Sequence, residues 1–417
     1  GNLPNVGEIA LIGIGVCSPI VTLITSFAFL VGLGGAPMFS IALGEKDNDK
    51  AKKILSNALL MLIIISSIIM LIFYLFSEPI LFLFGASEAS IEYALSYLRI
   101  YLIGTFFSLL TLGLNQYLTA QGESSKAMMT IIIGCVLNIV LDPLFMYFFH
   151  LGVKGAALAT IISQFISFIF VIFILLKKTT IKLSFGGYDK KIMLMIIKLG
   201  ISPFIIMATD SIILILLNNS LKLYGKDKGD FYIEIATIVQ AFETLATGPL
   251  LGISSGTQPI LGYNYGAKNK KLIIKAEKQL LIFALIFTSL FFILSFFIAK
   301  PFSIMFIGIG KDHINYEIVN EASKIIFYYM LGIIPLSFQY VFVDGLTGLG
   351  QAKYSIWLSL IRKVVIFIPS IYLLPLLTNS VESAFFAEPI CDIISAIVTS
   401  ICYLIFLPKI LKKIETN

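Results

Sequence analysis

Eleven stretches of this chain are apolar over a length that crosses a bilayer: residues 9–43, 54–76, 94–119, 128–149, 155–176, 193–219, 231–261, 279–299, 322–347, 354–376 and 384–407. A helix needs about 20 such residues to span a hydrocarbon layer ~30 Å thick. Inside lipid, every backbone N–H and C=O must be satisfied within the protein, which leaves helices as the spanning form for runs this long. The chain is therefore read as an all-α membrane protein. Charged residues make up only 13% of it and mean hydropathy is +0.97, whereas soluble domains carry about 25% charge.

Charge placement supplies an orientation. From the 44–53 loop onward, alternate connections hold twenty lysines and arginines, and the opposite set holds eight. The richer set belongs in the cytoplasm, so the formal charge of +6 calls for no nucleic acid. Gly1 then falls on the outer side, and one preceding helix would bring the start of an intact protein inside.

The chain repeats itself. The stretch 34–44 matches 256–266 at an offset of 222, with Pro37 on Pro259, Lys46 on Lys268 and Pro79 on Pro301. After six extra residues in the second copy the offset is 228, placing Gly104 on Gly332, Gly122 on Gly350 and Ala156 on Ala384. Two copies with an even number of helices share one orientation. The expected fold is two pseudo-symmetric six-helix bundles arranged as a parallel repeat. On that expectation the first helix of the first bundle would precede Gly1, which leaves eleven. The expected organisation is a first lobe over 1–176, a basic cytoplasmic linker over 177–192 containing Gly186-Gly187, and a second lobe over 193–417. The linker is long enough to let two lobes rock around a cavity.

Inside the fourth apolar run stand Asn138 and Asp142, followed by Pro143. Four residues apart, the two polar side chains share a helix face. An ionised carboxylate at this depth costs roughly 2.5–3.5 kcal/mol, so Asp142 is protonated, paired or holding a cation. Pro143 has no N–H, which deprives the Ile139 carbonyl of its helical partner. Thr160 lies about eight residues past the outer turn and Asp142 about ten before it, nearly one depth at 1.5 Å per residue. Asn138, Asp142 and Thr160 thus form a candidate site for Na+ or H+. The bland alternative is a polar helix contact worth about 0.6–2 kcal/mol. Offset 228 places Ile366, Ser370 and Glu388 at the matching positions, so the trio is no general demand of the fold.

The same depth reasoning brings Asp210 and Glu243 to the midplane on neighbouring helices, with Gln240 one turn before Glu243, as groups of a substrate-cavity wall that titrate or attract a cation, or as neutral acids bonding between helices. Polar residues at helical spacing, including Asn115 and Tyr340, could line a substrate cavity or join helices. Arg362 and Lys363 fall near Asp344 in depth and read as an ion pair or snorkelling cations. Enzymatic readings find no support: His150 and His313 stand alone, the four cysteines lack metal spacing, and no GxSxG, HExxH or Walker A pattern occurs. No cofactor is expected beyond a coupling ion. The membrane potential supplies about 2.3 kcal/mol per charge per 100 mV.

Gly256-Thr-Gln-Pro-Ile-Leu-Gly-Tyr-Asn-Tyr-Gly-Ala-Lys resembles the Q-P-x-x-G-x-N-x-G-A signature of the multidrug and toxic compound extrusion (MATE) family, nearest its MepA-like and DinF-like bacterial branches. Asn138-x-x-x-Asp142 with Thr160 resembles that family's first-lobe cation site. The resemblance spans the whole chain. It implies a twelve-helix, two-lobe antiporter of the bacterial plasma membrane, expected as a monomer, that exports cationic and amphipathic compounds against Na+ or H+. The family's site also uses an aspartate on the first helix, a position that would precede Gly1. A flippase for a lipid-linked sugar, from the same broad superfamily, is the alternative; it would be expected to carry cations inside its cavity for a pyrophosphate.

Overall fold

The computed structural model describes residues 7–84, 86, 88, 90–308 and 315–416. The chain folds as two compact units, Gly1–Ser211 and Ile212–Asn417. The first contains α1 (Gly7–Gly44), α2 (Asn48–Leu75), α3 (Ser77–Leu83), α4 (Ile91–Ala120), α5 (Ser124–Pro143), α6 (Gly152–Lys177) and the start of α7 (Lys190–Gly225). The second holds the rest of α7, then α8 (Gly229–Gly266), α9 (Lys270–Gly308), α10 (Tyr316–Tyr329), α11 (Ile333–Gly348), α12 (Ala352–Leu360), α13 (Ile368–Thr378) and α14 (Ala387–Thr416). A π-helical turn over Leu144–Phe148 follows α5, and another over Ile361–Phe367 joins α12 to α13.

Among the described residues, ten helical spans have the length and apolarity to cross a membrane. The α8 helix is not among them, because Ser, Thr, Gly and Gln dilute its hydropathy, although it is helical over 38 residues. Lipid-facing sides are plain in the exposure pattern. Ile132, Val136, Ile139 and Val140 are exposed on α5, as are Phe283, Ile286, Leu290, Ile293 and Phe297 on α9. Each follows the three-to-four-residue spacing of a helix face.

The duplication is visible in the element boundaries. The α1 helix ends in bonds from Lys46 N to Leu43 O and Asp47 N to Ala42 O, and α8 ends in Lys268 N to Tyr265 O and Asn269 N to Asn264 O. Both lysines adopt left-handed backbone, at φ 61° and 57°. The ends of α4 and α11 match in the same way at offset 228. Gly122 and Gly350, at φ 80° and 74°, bond back to Thr119 O and Thr347 O. Pro37 and Pro259 both lie inside the long helices.

In the first unit α4 packs on α1 and α6, and α6 on α5. Its core includes Ile54, Leu55, Leu62, Leu114, Tyr117 and Ile196. Gly200 of α7 sets a close crossing: a Cβ there would overlap the Leu30 carbonyl of α1. The second unit closes around Leu217, Ile235, Phe242, Ile326, Phe367 and Phe385.

The segment expected as a cytoplasmic linker over 177–192 is hydrogen-bonded to the first unit. Ser56 Oγ donates to Gly186 O at 2.8 Å, and Asn57 Nδ2 donates to Gly187 O at 3.1 Å. Asp189 N donates to Asn57 Oδ1 at 2.9 Å, and Ile181 N to Gln121 Oε1 at 2.8 Å. Asn57 and Ser56 are buried, so their amide and hydroxyl need partners, and this non-helical backbone supplies them. The two compact units divide after Ser211, within α7.

Candidate ion-binding site

The α5 and α6 helices form a hairpin closed by the π turn and by His150, whose backbone is left-handed at φ 54°. Across this hairpin Asn138 Nδ2 donates to Asp142 Oδ1 at 3.1 Å and to Thr160 Oγ1 at 3.3 Å. Thr160 Oγ1 donates to the Ala156 carbonyl at 3.0 Å, which leaves its lone pairs toward Asn138. All three side chains are half-buried. Among the described residues Asp142 has no ion-pair partner. One carboxylate, one amide and one hydroxyl therefore meet at one level, with Pro143 withholding a hydrogen from the Ile139 carbonyl one turn away. Asp142 and Thr160 offer oxygen ligands to a hard cation, with Asn138 adding its Oδ1 once its amide turns over, and Asp142 offers an acid to a proton.

Sequence reasoning missed Tyr97 of α4, whose hydroxyl lies beside Thr160 and close enough to Asp142 to feel its charge. Tyr97 stacks on Tyr101, with ring centroids 5.8 Å apart. The Tyr101 hydroxyl in turn reaches Gln164 of α6. Two tyrosines four residues apart in an apolar helix were the available signal. Below the trio, Thr111, Thr130, Asn138, Thr160, Ser163 and Gln164 line a cavity of about 220 Å³. Asn115 stands behind its wall, buried, with Nδ2 donating to Thr130 Oγ1 at 2.6 Å; the structure makes it a helix-joining group.

The remaining candidates lie in or beside the second unit. Asp210 is on α7, and its side chain lies outside the described residues. Glu243 of α8 is half-buried and sits within the fields of Glu388, Lys363, Asp392 and Arg362. Gln240, one turn earlier, is also half-buried. Tyr340 of α11 accepts a hydrogen bond from Ser254 at its carbonyl, at 3.0 Å.

Arg362 is not paired with Asp344 as depth suggested. Its Nη2 lies 2.7 Å from Glu388 Oε1 and 2.8 Å from Asp392 Oδ1, and its Nε donates to Asp392 Oδ1 at 3.0 Å. The guanidinium is buried, at 5% exposure. Glu388 and Asp392, four apart on α14, present one acidic face, and the lone arginine of the α12–α13 span meets it. Asp344 bonds instead to Ser254.

The MatE family profile matches residues 3–144 and 223–373. The chain belongs to the MatE family. Asn138, Asp142, Glu243 and Arg362 fall within the matched stretches, and Thr160, Glu388 and Asp392 outside them. Among curated relatives, the multidrug export protein MepA of Staphylococcus saprophyticus is 26% identical over 91% of this chain and 83% of its own. MepA of Staphylococcus aureus strain NCTC 8325 is 24% identical over the same shares. A MATE crystal structure in a bent conformation aligns with TM-score 0.89 at 21% identity, covering 98% of this chain and 90% of that one. A transporter from Pyrococcus furiosus, described as having a binding pocket of reverse polarity that suggests a different function, aligns with TM-score 0.90 at 20% identity, over 97% of this chain and 89% of its own. These structures share the fold of this MatE-family chain, a multi-span membrane transporter.

Proposed function

We propose that this MatE-family chain is an antiporter that exports cationic or amphipathic small molecules in exchange for Na+ or H+ taken up at Asp142. The observation that carries the reading is the Asp142 carboxylate, set in an apolar helix with Asn138 and Thr160 and with no cationic partner among the described residues. An ion there neutralises the acid, and a substrate that favours the opposite-facing state is expelled by linkage between the two binding events. The staphylococcal relatives' description as multidrug exporters supports the substrate class. The flippase alternative loses support from Arg362, because Glu388 and Asp392 neutralise it and leave it no charge for a pyrophosphate.

The test is transport in proteoliposomes, with Na+ and pH gradients imposed separately. One of the two gradients should drive export of a cationic dye, and Asp142→Asn should abolish the gradient-driven part while the protein still inserts. Undiminished, gradient-driven export by Asp142→Asn would overturn the assignment.

A further inference from the structure

A second group of polar side chains lies in the second unit near the lysine-rich turn between α8 and α9, apart from the Asp142 trio. Glu277 of α9 is 5% exposed, and neither carboxylate oxygen has a hydrogen bond of normal geometry. The Tyr403 hydroxyl of α14 lies beside that carboxylate, and it too lacks such a bond, as does Gln258 Oε1 of α8. Asp344 of α11 is the hub. It accepts a hydrogen bond from the Ser254 hydroxyl, the Gln258 side chain lies beside it, and its charge reaches Glu277. Four helices thus contribute oxygen atoms to one locality, and the acceptors left over sit on side chains at least nine-tenths buried.

The backbone makes room for this group. A Cβ at residue 345 would collide with Glu277 Oε1 and stand 3.0 Å from its carboxyl carbon. Gly345 therefore lets the carboxylate lie flat against α11. A Cβ at Gly348 would stand 3.0 Å from the Gln258 carbonyl, so the same helix also admits α8. Surplus acceptors in a buried place call for something positive, since buried polar groups are otherwise paired.

We propose that this cluster is a binding site for a hard monovalent cation, Na+, with Glu277 as the charged ligand and Gln258 Oε1, the Tyr403 hydroxyl and Asp344 completing an oxygen shell. An all-oxygen donor set selects hard ions over soft ones. The neutral Ser254 hydroxyl leaves the charge of Asp344 in place, so the monovalent fit requires the two neighbouring acids to share one proton, which leaves a single negative charge.

The experiment is equilibrium binding of radiolabelled Na+ to the purified full chain in detergent, at alkaline pH. The Asp142→Asn variant isolates this site from the one in the first unit. It should retain saturable Na+ binding, and adding Glu277→Gln should remove that binding. Tyr403→Phe in the same background should weaken it several-fold while leaving size-exclusion behaviour unchanged, and it decides the matter if the Glu277 variant does not fold. The proposal is overturned if Asp142→Asn binds no Na+, if Glu277→Gln or Tyr403→Phe leaves its affinity unchanged, or if Ca2+ displaces Na+ at far lower concentration than Na+ itself. Failure of the Asp142 transport test leaves this result independent.

Discussion

Removing the Arg362 side chain should unsettle the second unit far more than removing any exposed charge. Arg362 makes three charged hydrogen bonds of 2.7–3.0 Å to Glu388 and Asp392, and all three residues are buried. Arg362→Leu removes the one guanidinium that both carboxylates bond and leaves only the more distant charge of Lys363 to offset them. Breaking a buried pair in this way costs about 3–5 kcal/mol. At ~2–4 °C per kcal/mol for cooperative units of 150–250 residues, the apparent melting temperature in detergent should fall by roughly 6–20 °C. Arg362→Lys keeps the charge but loses the planar fork that serves both acids, so it should recover only part of the loss. Neutralising all three positions together, as Arg362→Leu with Glu388→Gln and Asp392→Asn, should restore most of the stability, because the cost lies in the stranded charges and not in the missing bonds. Scanning fluorimetry of the purified variants reads all three. The reasoning fails if Arg362→Leu melts with the wild type, or if the triple variant melts no higher than the single one.

Two further outcomes follow from the first unit. Tyr97→Phe removes the hydroxyl that lies beside Thr160 and should shift the ion concentration for half-maximal transport several-fold with expression unchanged, measured by dye export across a gradient series. Gly200→Ala puts a methyl group on the Leu30 carbonyl and should destabilise by about 1–3 kcal/mol, read as a lower melting temperature; a neutral result would mean that α1 and α7 can separate freely at that crossing.

Where the sequence was legible, local rules carried the reading. The offsets 222 and 228 could be found because the helix ends need left-handed residues and prolines at set places, and Lys46, Lys268, Gly122 and Gly350 hold them. Asn138, Asp142 and Thr160 were within reach because i,i+4 spacing and hairpin depth are both countable along a continuous stretch. Tyr97 was not, since α4 precedes the hairpin and nothing in the spacing says which of its faces turns toward α6. Arg362 was assigned the wrong acid because depth alone cannot choose between α11 and α14. The π turn over Ile361–Phe367 also departs from 3.6 residues per turn, so a helical projection misplaces the side chains around it. The attachment of the 177–192 linker was not readable, because its lysines and glycines carry no signal of a partner. Its fastening comes from backbone carbonyls, to which composition is blind.

The two copies of the scaffold differ at three matched places, where Asn138, Asp142 and Thr160 stand opposite Ile366, Ser370 and Glu388. Where the first carries Thr160, the register of the second puts Glu388, and there a neutral hydroxyl beside a lone acid has been replaced by a guanidinium locked between two carboxylates. The helix-ending turns stay alike in both halves while this polar cargo has been rewritten. Divergence after duplication could therefore alter one half's ionic chemistry without redrawing its architecture. A chimera that carries the first copy's trio at 366, 370 and 388, with Arg362 and Asp392 neutralised, is a direct way to ask how far that independence extends.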